Sequence, residues 1–340
     1  MLKATIKIMA ASITASALLA GTASAQTTLR IQTHQGQSSS YGAAIQEFVD
    51  SVGVMSGGDL QIEMYYSSSV VPSAETFDAA VNSILDCDMT NGSYQSGKNK
   101  AFQFVADTMG GYDTPLQYQA WVEMGGGREA VNELYAPYNM TFIGAHVGGQ
   151  ESLTSTRPLA GVSDLENWKF RAPPGMASDI FASLGAKPIV MDFSEVITAL
   201  ESGIIDGADA STLGNNLRIG TYDIGKHTNF PGFHSMASDH LACRTDVWEG
   251  LSKQHQTIIE TAYQNVAMDL ILQTLVDNGE ALAKLPSMGV TTYNWSSEDR
   301  AKFRAAAREQ WDVYGGETKE GKAMVESHVS FMKRIGLIQD

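Results

Sequence analysis

Apolar and polar residues alternate over 28–33 (TLRIQT), a spacing that predicts a strand emptying into the polar loop 34–40. A helix is expected from about 41 to 55, then a turn at SGGD (56–59) and a second strand over 60–65. After the serine-rich loop 67–69, a helix over about 74–84 and a strand over 87–90 complete a β-α-β-α-β order, which predicts a parallel sheet flanked by helices. A second set occupies the middle of the chain. Strands are expected at 140–143, at 168–172 (closed by Pro173-Pro174) and at 189–191, with a helix over 176–184 ending at Gly185.

The stretch that follows, FSEVITALESGIIDGADA (193–210), predicts a helix capped by Asp192, with Glu195 three residues on. Val196, Ala199 and Leu200 share one face, and Gly203 suits a left-handed C-terminal cap. Ile204 and Ile205 then begin a short buried strand that Asp206-Gly207 breaks, leaving Asp209 at its end, where open α/β sheets meet their ligands. From 252 to 285 the only breaker is Gly279, which predicts one long helix or two in series. Further helices are expected over 298–314 and 319–335. No internal repeat and no Pro-, Gly- or Ser-rich linker interrupts the chain, so two lobes would be joined by strands and helices crossing between them.

Composition narrows this picture. Residues 1–25 read as a secretory signal peptide: Lys3 and Lys7 precede an apolar run, and Ala23-Ser24-Ala25 is an A-x-A cleavage site. The run is short and rich in small residues for a membrane span. The protein is therefore expected in the periplasm. The roughly 315 residues that follow suggest two lobes, because single cores stop growing near ~250–300 residues. The formal charge of −15 becomes −17 once the two lysines of the leader are removed, a balance that argues against nucleic acid. Cys87 and Cys243 make neither a zinc site nor a disulfide framework. One long-range bridge and two small buried hydrophobes are both open, and the reading taken is two free, buried thiols.

Familiar catalytic motifs are missing. Gly125-Gly126-Gly127 is followed directly by Arg128 and is no phosphate loop; there is no GxGxxG opening a helix and no GxSxG. His227, His234 and His240 are spaced unlike the ligands of a helical zinc motif, and read as surface or hinge-packing histidines.

Four blocks carry a resemblance. WKFRAPPG (168–175), LGAKPIVMDFSEVITALESGIIDGADA (184–210), YDIGKHTNFPGFHSM (222–236) and, more loosely, SGGDLQIEMYYSSSVVP (56–72) resemble the solute-binding subunit of tripartite ATP-independent periplasmic (TRAP) transporters, the DctP-like family. The likeness is closest to the branch that binds 2-oxo acids. It implies a bilobal α/β periplasmic-binding-protein fold with a long helix spanning both lobes. Residues 26–145 would form mostly lobe I and 146–235 mostly lobe II, with 236–340 returning to lobe I and spanning both. It further implies a non-catalytic receptor that closes over a small organic anion, a 2-oxo or 2-hydroxy monocarboxylate first and a sulfonate or zwitterion second, and passes it to a membrane permease. The arginine of the family's K-x-R motif, which clamps the ligand carboxylate, corresponds to Arg171. A guanidinium suits that task because it donates two parallel hydrogen bonds to a planar carboxylate. Gln150 stands where the branch has its glutamine. Asp209-Ala210 replaces the branch's Glu-Trp pair, whose acid helps hold a cation bridging to the substrate. By resemblance a Na+ or Ca2+ ion would be held by Gln150, Asp209, Ala210 and Ser235. Phe193, Asn215, Tyr94 and His34 complete the expected ligand contacts, and the C-terminal helix is a candidate dimer contact. The reading from another class is an exported hydrolase or lyase using Asp209 and a histidine.

Overall fold

The computed structural model describes residues 26–338, so the expected leader lies outside the described residues. Leu29 and Ile31 bury one face of the first strand, β1 (Thr27–Thr33), and the predicted loop leads to Ser39, whose hydroxyl caps the helix Ser40–Met55 by accepting from the Gly42 amide at 2.9 Å. Strands β2 (Leu60–Tyr65) and β3 (Cys87–Met89) pair parallel with β1 on either side, as the β-α-β-α-β order predicts. The sheet is extended by β4 (Met140–His146), and its full order also includes a strand from much later in the chain, β10 (Asp239–Arg244), lying antiparallel between β3 and β4.

That pairing corrects one expectation. Cys87 and Cys243 face each other in register across β3 and β10 and form a disulfide, not two free thiols. The bridge ties the returning strand into the first lobe. Nothing local marks either cysteine for it, since the partners meet only once β10 inserts.

The second sheet runs β11-β9-β5-β8-β6-β7, with β5 at Glu151–Ser155, β6 at Lys169–Ala172, β7 at Lys187–Val190, β8 at Gly207–Thr212, β9 at His227–Asn229 and β11 at Thr291–Tyr293. Here a second expectation changes. Ile204 is 58% exposed and Ile205 is the buried residue of a turn; the strand begins at Gly207 instead of ending there. Gly207 is no breaker. A Cβ on it would lie 2.3 Å from the Thr154 carbonyl oxygen and 2.4 Å from the Trp168 ring, so glycine is what lets three strands approach.

The chain passes between the sheets three times: from β10 to β11 through 245–290, which holds the long helix, and through two short segments, 147–150 from β4 to β5 and 230–238 from β9 to β10. The two short segments lie side by side, with the Glu151 amide donating to the Ser235 carbonyl at 2.9 Å. The long apolar-patterned stretch is a single helix, Lys253–Lys284, capped by Ser252, and it packs on the helix Ser40–Met55 and β4 of the first lobe and on the helix Leu213–Arg218 of the second. The final helix, Lys319–Arg334, buries Met324, Phe331 and Met332 against its own chain. Between β3 and β4, where the pattern predicted nothing regular, sit two helices, Pro115–Met124 and Gly127–Tyr135. No helix among the described residues is long and apolar enough to cross a membrane.

Candidate functional site

The cleft between the two sheets encloses about 50 Å3, lined from the first lobe by His34, Gln35, Tyr41, Asn91, Tyr94 and Asp239 and from the second by Glu151, Arg171, Pro173, Phe193, Asp209, Ala210 and Ser211. One water fills about 10–15 Å3 by that measure, so the space suits a ligand of a handful of heavy atoms.

Arg171 projects from β6, which lies between β7 and β8, and is 3% exposed. Its Nη1 donates to the Asp209 carbonyl at 2.7 Å and its Nε to the Met191 carbonyl at 3.4 Å. The guanidinium carbon sits 5.6 Å from the centre of the Phe193 ring. Anchored by these bonds, the guanidinium lines the cavity, and no carboxylate among the described residues forms an ion pair with it. His34 holds Tyr94 and Phe193 edge-on at 5.5 and 5.7 Å, so these three rings form one wall. Burial pushes the Tyr94 hydroxyl up to about 12, with the Arg171 charge pulling the other way.

A local irregularity presents the acid. On β8, Ser211 faces Ser152 and Ala208 faces Thr154, which leaves Asp209 and Ala210 together opposite Leu153. Such a bulge re-aims side chains, and it sets Asp209, Ala210 and Ser211 all along the cavity. Oδ1 of Asp209 meets His234 Nε2 at 3.0 Å; Oδ2 is buried without a hydrogen-bond partner, as is His234 Nδ1. Glu151, the first residue of β5, is close by. Its Oε2 accepts from the Ser235 hydroxyl at 3.0 Å, and the same hydroxyl makes a very short contact to Asp107. Burial, with Asp209 and Asp107 nearby, pushes the Glu151 carboxyl well above its ordinary value. Burial also raises Asp107 to about 7, against the pull of Ser235 and the Met236 amide.

Of the residues expected from sequence, His34, Tyr94, Arg171, Phe193, Asp209 and Ala210 come together on the cavity. Ser235 stands one step behind, on Glu151. Gln150 does not join them: its amide donates to the Asp113 carbonyl at 3.1 Å, because the neighbouring Glu151 takes the inward direction where β5 starts. Asn215 is consumed by packing, accepting from the Ser40 amide at 3.0 Å and donating to Ser211 Oγ at 2.9 Å. Its neighbour Asn216 ties the carbonyls of Ser152 and Ser211. Sequence reasoning missed Gln35, Glu151, His234 and Asp239. His234 lay inside one of the resembling blocks but was set aside with the other histidines; Asp239 and Gln35 carry no motif at all.

Among the described residues, Glu151, Asp209 and His234 present ligating atoms within 4.8 Å of one another and could hold a metal ion. This grouping fits a hard ion poorly. Calcium takes six to eight oxygens; this set offers two carboxylates and an imidazole, a donor preferred by softer ions, and the amide oxygen expected from Gln150 is turned away.

The profile of the bacterial extracellular solute-binding proteins, family 7 (DctP), matches residues 32–317. The chain belongs to that family. Among DctP relatives, a monocarboxylate 2-oxoacid-binding periplasmic protein of a Nostoc species is 26% identical over 84% of this chain and 78% of its own length. A TRAP periplasmic solute-binding protein from Rhodobacter sphaeroides, solved in an apo open state, is 32% identical, with a TM-score of 0.73 over 92% of this chain and all of its own. Another, from Pseudoalteromonas atlantica with bound sodium and pyruvate, is 24% identical, with a TM-score of 0.81 over 92% of this chain and 95% of its own. The bilobal α/β architecture is thus the DctP fold. That last relative holds both a cation and a small carboxylate.

Proposed function

We propose that this protein is the exported receptor of a TRAP transporter, capturing a small organic monocarboxylate between its lobes and handing it to a membrane permease. The observation that carries this is Arg171: a buried guanidinium, braced by two backbone carbonyls and facing a cavity sized for a few heavy atoms. The relative that binds monocarboxylate 2-oxoacids supports the ligand class, with 2-hydroxy acids alongside. Lobe I is drawn mostly from 26–145 and lobe II from 146–235, and they close about the paired segments 147–150 and 230–238. Ligand shifts the open–closed balance through its greater affinity for the closed state. Periplasmic placement follows the periplasmic relatives and the leader-like residues 1–25.

The receptor is not an enzyme on this reading. Asp209 and His234 pair at 3.0 Å, and membership of a family of solute-binding proteins supports a receptor over a hydrolytic site. Association into dimers through the helix Lys319–Arg334 remains an expectation of the resemblance.

Arg171→Ala tests the clamp. Removing one side of a buried charge pair costs ~3–5 kcal/mol, so calorimetry should show affinity for a bound monocarboxylate falling by at least about a hundredfold, with an unchanged circular dichroism spectrum. Affinity near that of the wild type would take Arg171 out of the site.

A further inference from the structure

The cavity's unmet hydrogen bonds describe the far end of its ligand. Asp239 and Gln35 enter from the first lobe, across from Arg171. Gln35 Nε2 donates to Asp239 Oδ2 at 2.9 Å and lies 3.2 Å from His34 Nε2. This fixes the amide's orientation, because the flipped form would set its oxygen against the Asp239 carboxylate. Gln35 Oε1 is then a buried acceptor with no partner, on a residue 7% exposed. From the second lobe, Asp209 Oδ2 is likewise a buried acceptor with no partner, on a residue 2% exposed. Buried polar atoms left unpaired are costly, and both belong to residues lining the same small cavity. Charge points the same way: two carboxylates that face each other from the two lobes, Asp209 and Asp239, line that cavity with Arg171.

We infer that the preferred ligand is a small zwitterion: its carboxylate lies on Arg171, and an ammonium or amidinium bearing N–H hydrogens lies between Asp209 and the Gln35–Asp239 pair. The inference rests on the reading of Arg171 as carboxylate clamp. A 2-oxo acid brings no donor hydrogens and leaves both acceptors empty. A 2-hydroxy acid brings one hydrogen and no positive charge. An N-trimethylated zwitterion brings the charge but no hydrogens. A protonated amine or a cyclic amidine supplies several N–H donors and the missing charge at once.

The test is calorimetric titration of the full receptor with isosteric series on three- to five-carbon skeletons, comparing the 2-oxo, 2-hydroxy, 2-amino and N-trimethyl-2-amino acids and a cyclic amidine carboxylate. Each titration is run with chelator, with Na+ and with Ca2+. A site built to hydrogen-bond a donor rejects the analogue lacking it by large factors, so an N–H-bearing zwitterion should bind at least about a hundredfold more tightly than its 2-oxo counterpart under all three conditions. Asp239→Asn should bring that ratio down towards one; if the variant fails to fold, the wild-type series still decides. A 2-oxo or N-trimethylated acid binding as tightly as the N–H-bearing member, with or without Ca2+, overturns the inference and leaves the monocarboxylate receptor standing. Failure of every member to bind overturns the clamp reading, and the inference with it.

Discussion

Asp107 and Glu151 share one hydroxyl. Ser235 Oγ contacts Asp107 Oδ2 and Glu151 Oε2, yet a serine has one hydrogen to donate, so the second contact is satisfied when one carboxyl keeps its proton. The raised Asp107, at about 7 against an ordinary 3.8, agrees with that accounting. The sign follows from linkage. The folded state holds this proton more tightly than the unfolded chain, so its contribution to stability is full below about pH 4 and is lost as pH rises to about 7. At roughly 1.4 kcal/mol per unit, the loss from this group is bounded by about 4 kcal/mol. Urea melts at a series of pH values should show stability falling between pH 5 and 7.5, and Asp107→Asn should flatten that slope and make the protein more stable than wild type at pH 8. An unaltered slope in the variant would mean the proton resides elsewhere.

At the scale of elements, two irregularities shape the site, one within β8 and one in the returning segment 230–238. The bulge at Asp209–Ala210 turns the acid inward. Gly232, in the returning segment 230–238, lies so close to β5 that a Cβ would fall 1.5 Å from the Glu151 carbonyl oxygen. Gly232→Ala must therefore push that segment off β5, and with it Phe233, His234 and Ser235. Overpacking of this kind costs about 1–3 kcal/mol. The expected outcome is a lowered melting temperature together with weakened ligand binding, although residue 232 does not line the cavity; thermal denaturation and calorimetry on the same preparation check both. Loss of stability with intact affinity would show that the segment can shift without disturbing Asp209 and Glu151.

Across the whole molecule, several hydrogen bonds join the lobes, and two contacts besides Ser40–Asn215 bear on closure. Asp192 Oδ2, following β7, accepts from Ser73 Oγ at 2.7 Å and from the Ser73 amide at 3.3 Å. Gln103 Oε1 of the first lobe accepts from the Met176 amide of the second at 2.9 Å. Bonds that exist only with the lobes together favour closure, and each contributes about 0.5–1.5 kcal/mol net, more to a charged acceptor. Asp192→Ala should weaken ligand binding by about three- to thirtyfold, by shifting the open–closed balance without touching the ligand. Small-angle scattering at subsaturating ligand should show a larger radius of gyration than wild type. An unchanged affinity would remove this contact from the closure.

Much of the architecture was legible because it is written locally. The alternation of β1, the uninterrupted run that becomes the helix Lys253–Lys284, and the cap at Asp192 are decided by neighbours within a few residues. Arg171 was legible through its motif. What the local pattern could not carry was which elements become neighbours. Cys87 meets Cys243 only because β10 inserts beside β3; Gly207 looked like a breaker because the Thr154 carbonyl it must accommodate comes from another strand. Gln35, Glu151 and the neighbouring His234 and Asp239 reach the site from three separate stretches of chain. Their meeting is decided by burial: apolar faces of two sheets must be covered, and the sheet order that covers them brings these polar side chains to one cavity, leaving Asp209 Oδ2 and Gln35 Oε1 unpaired there.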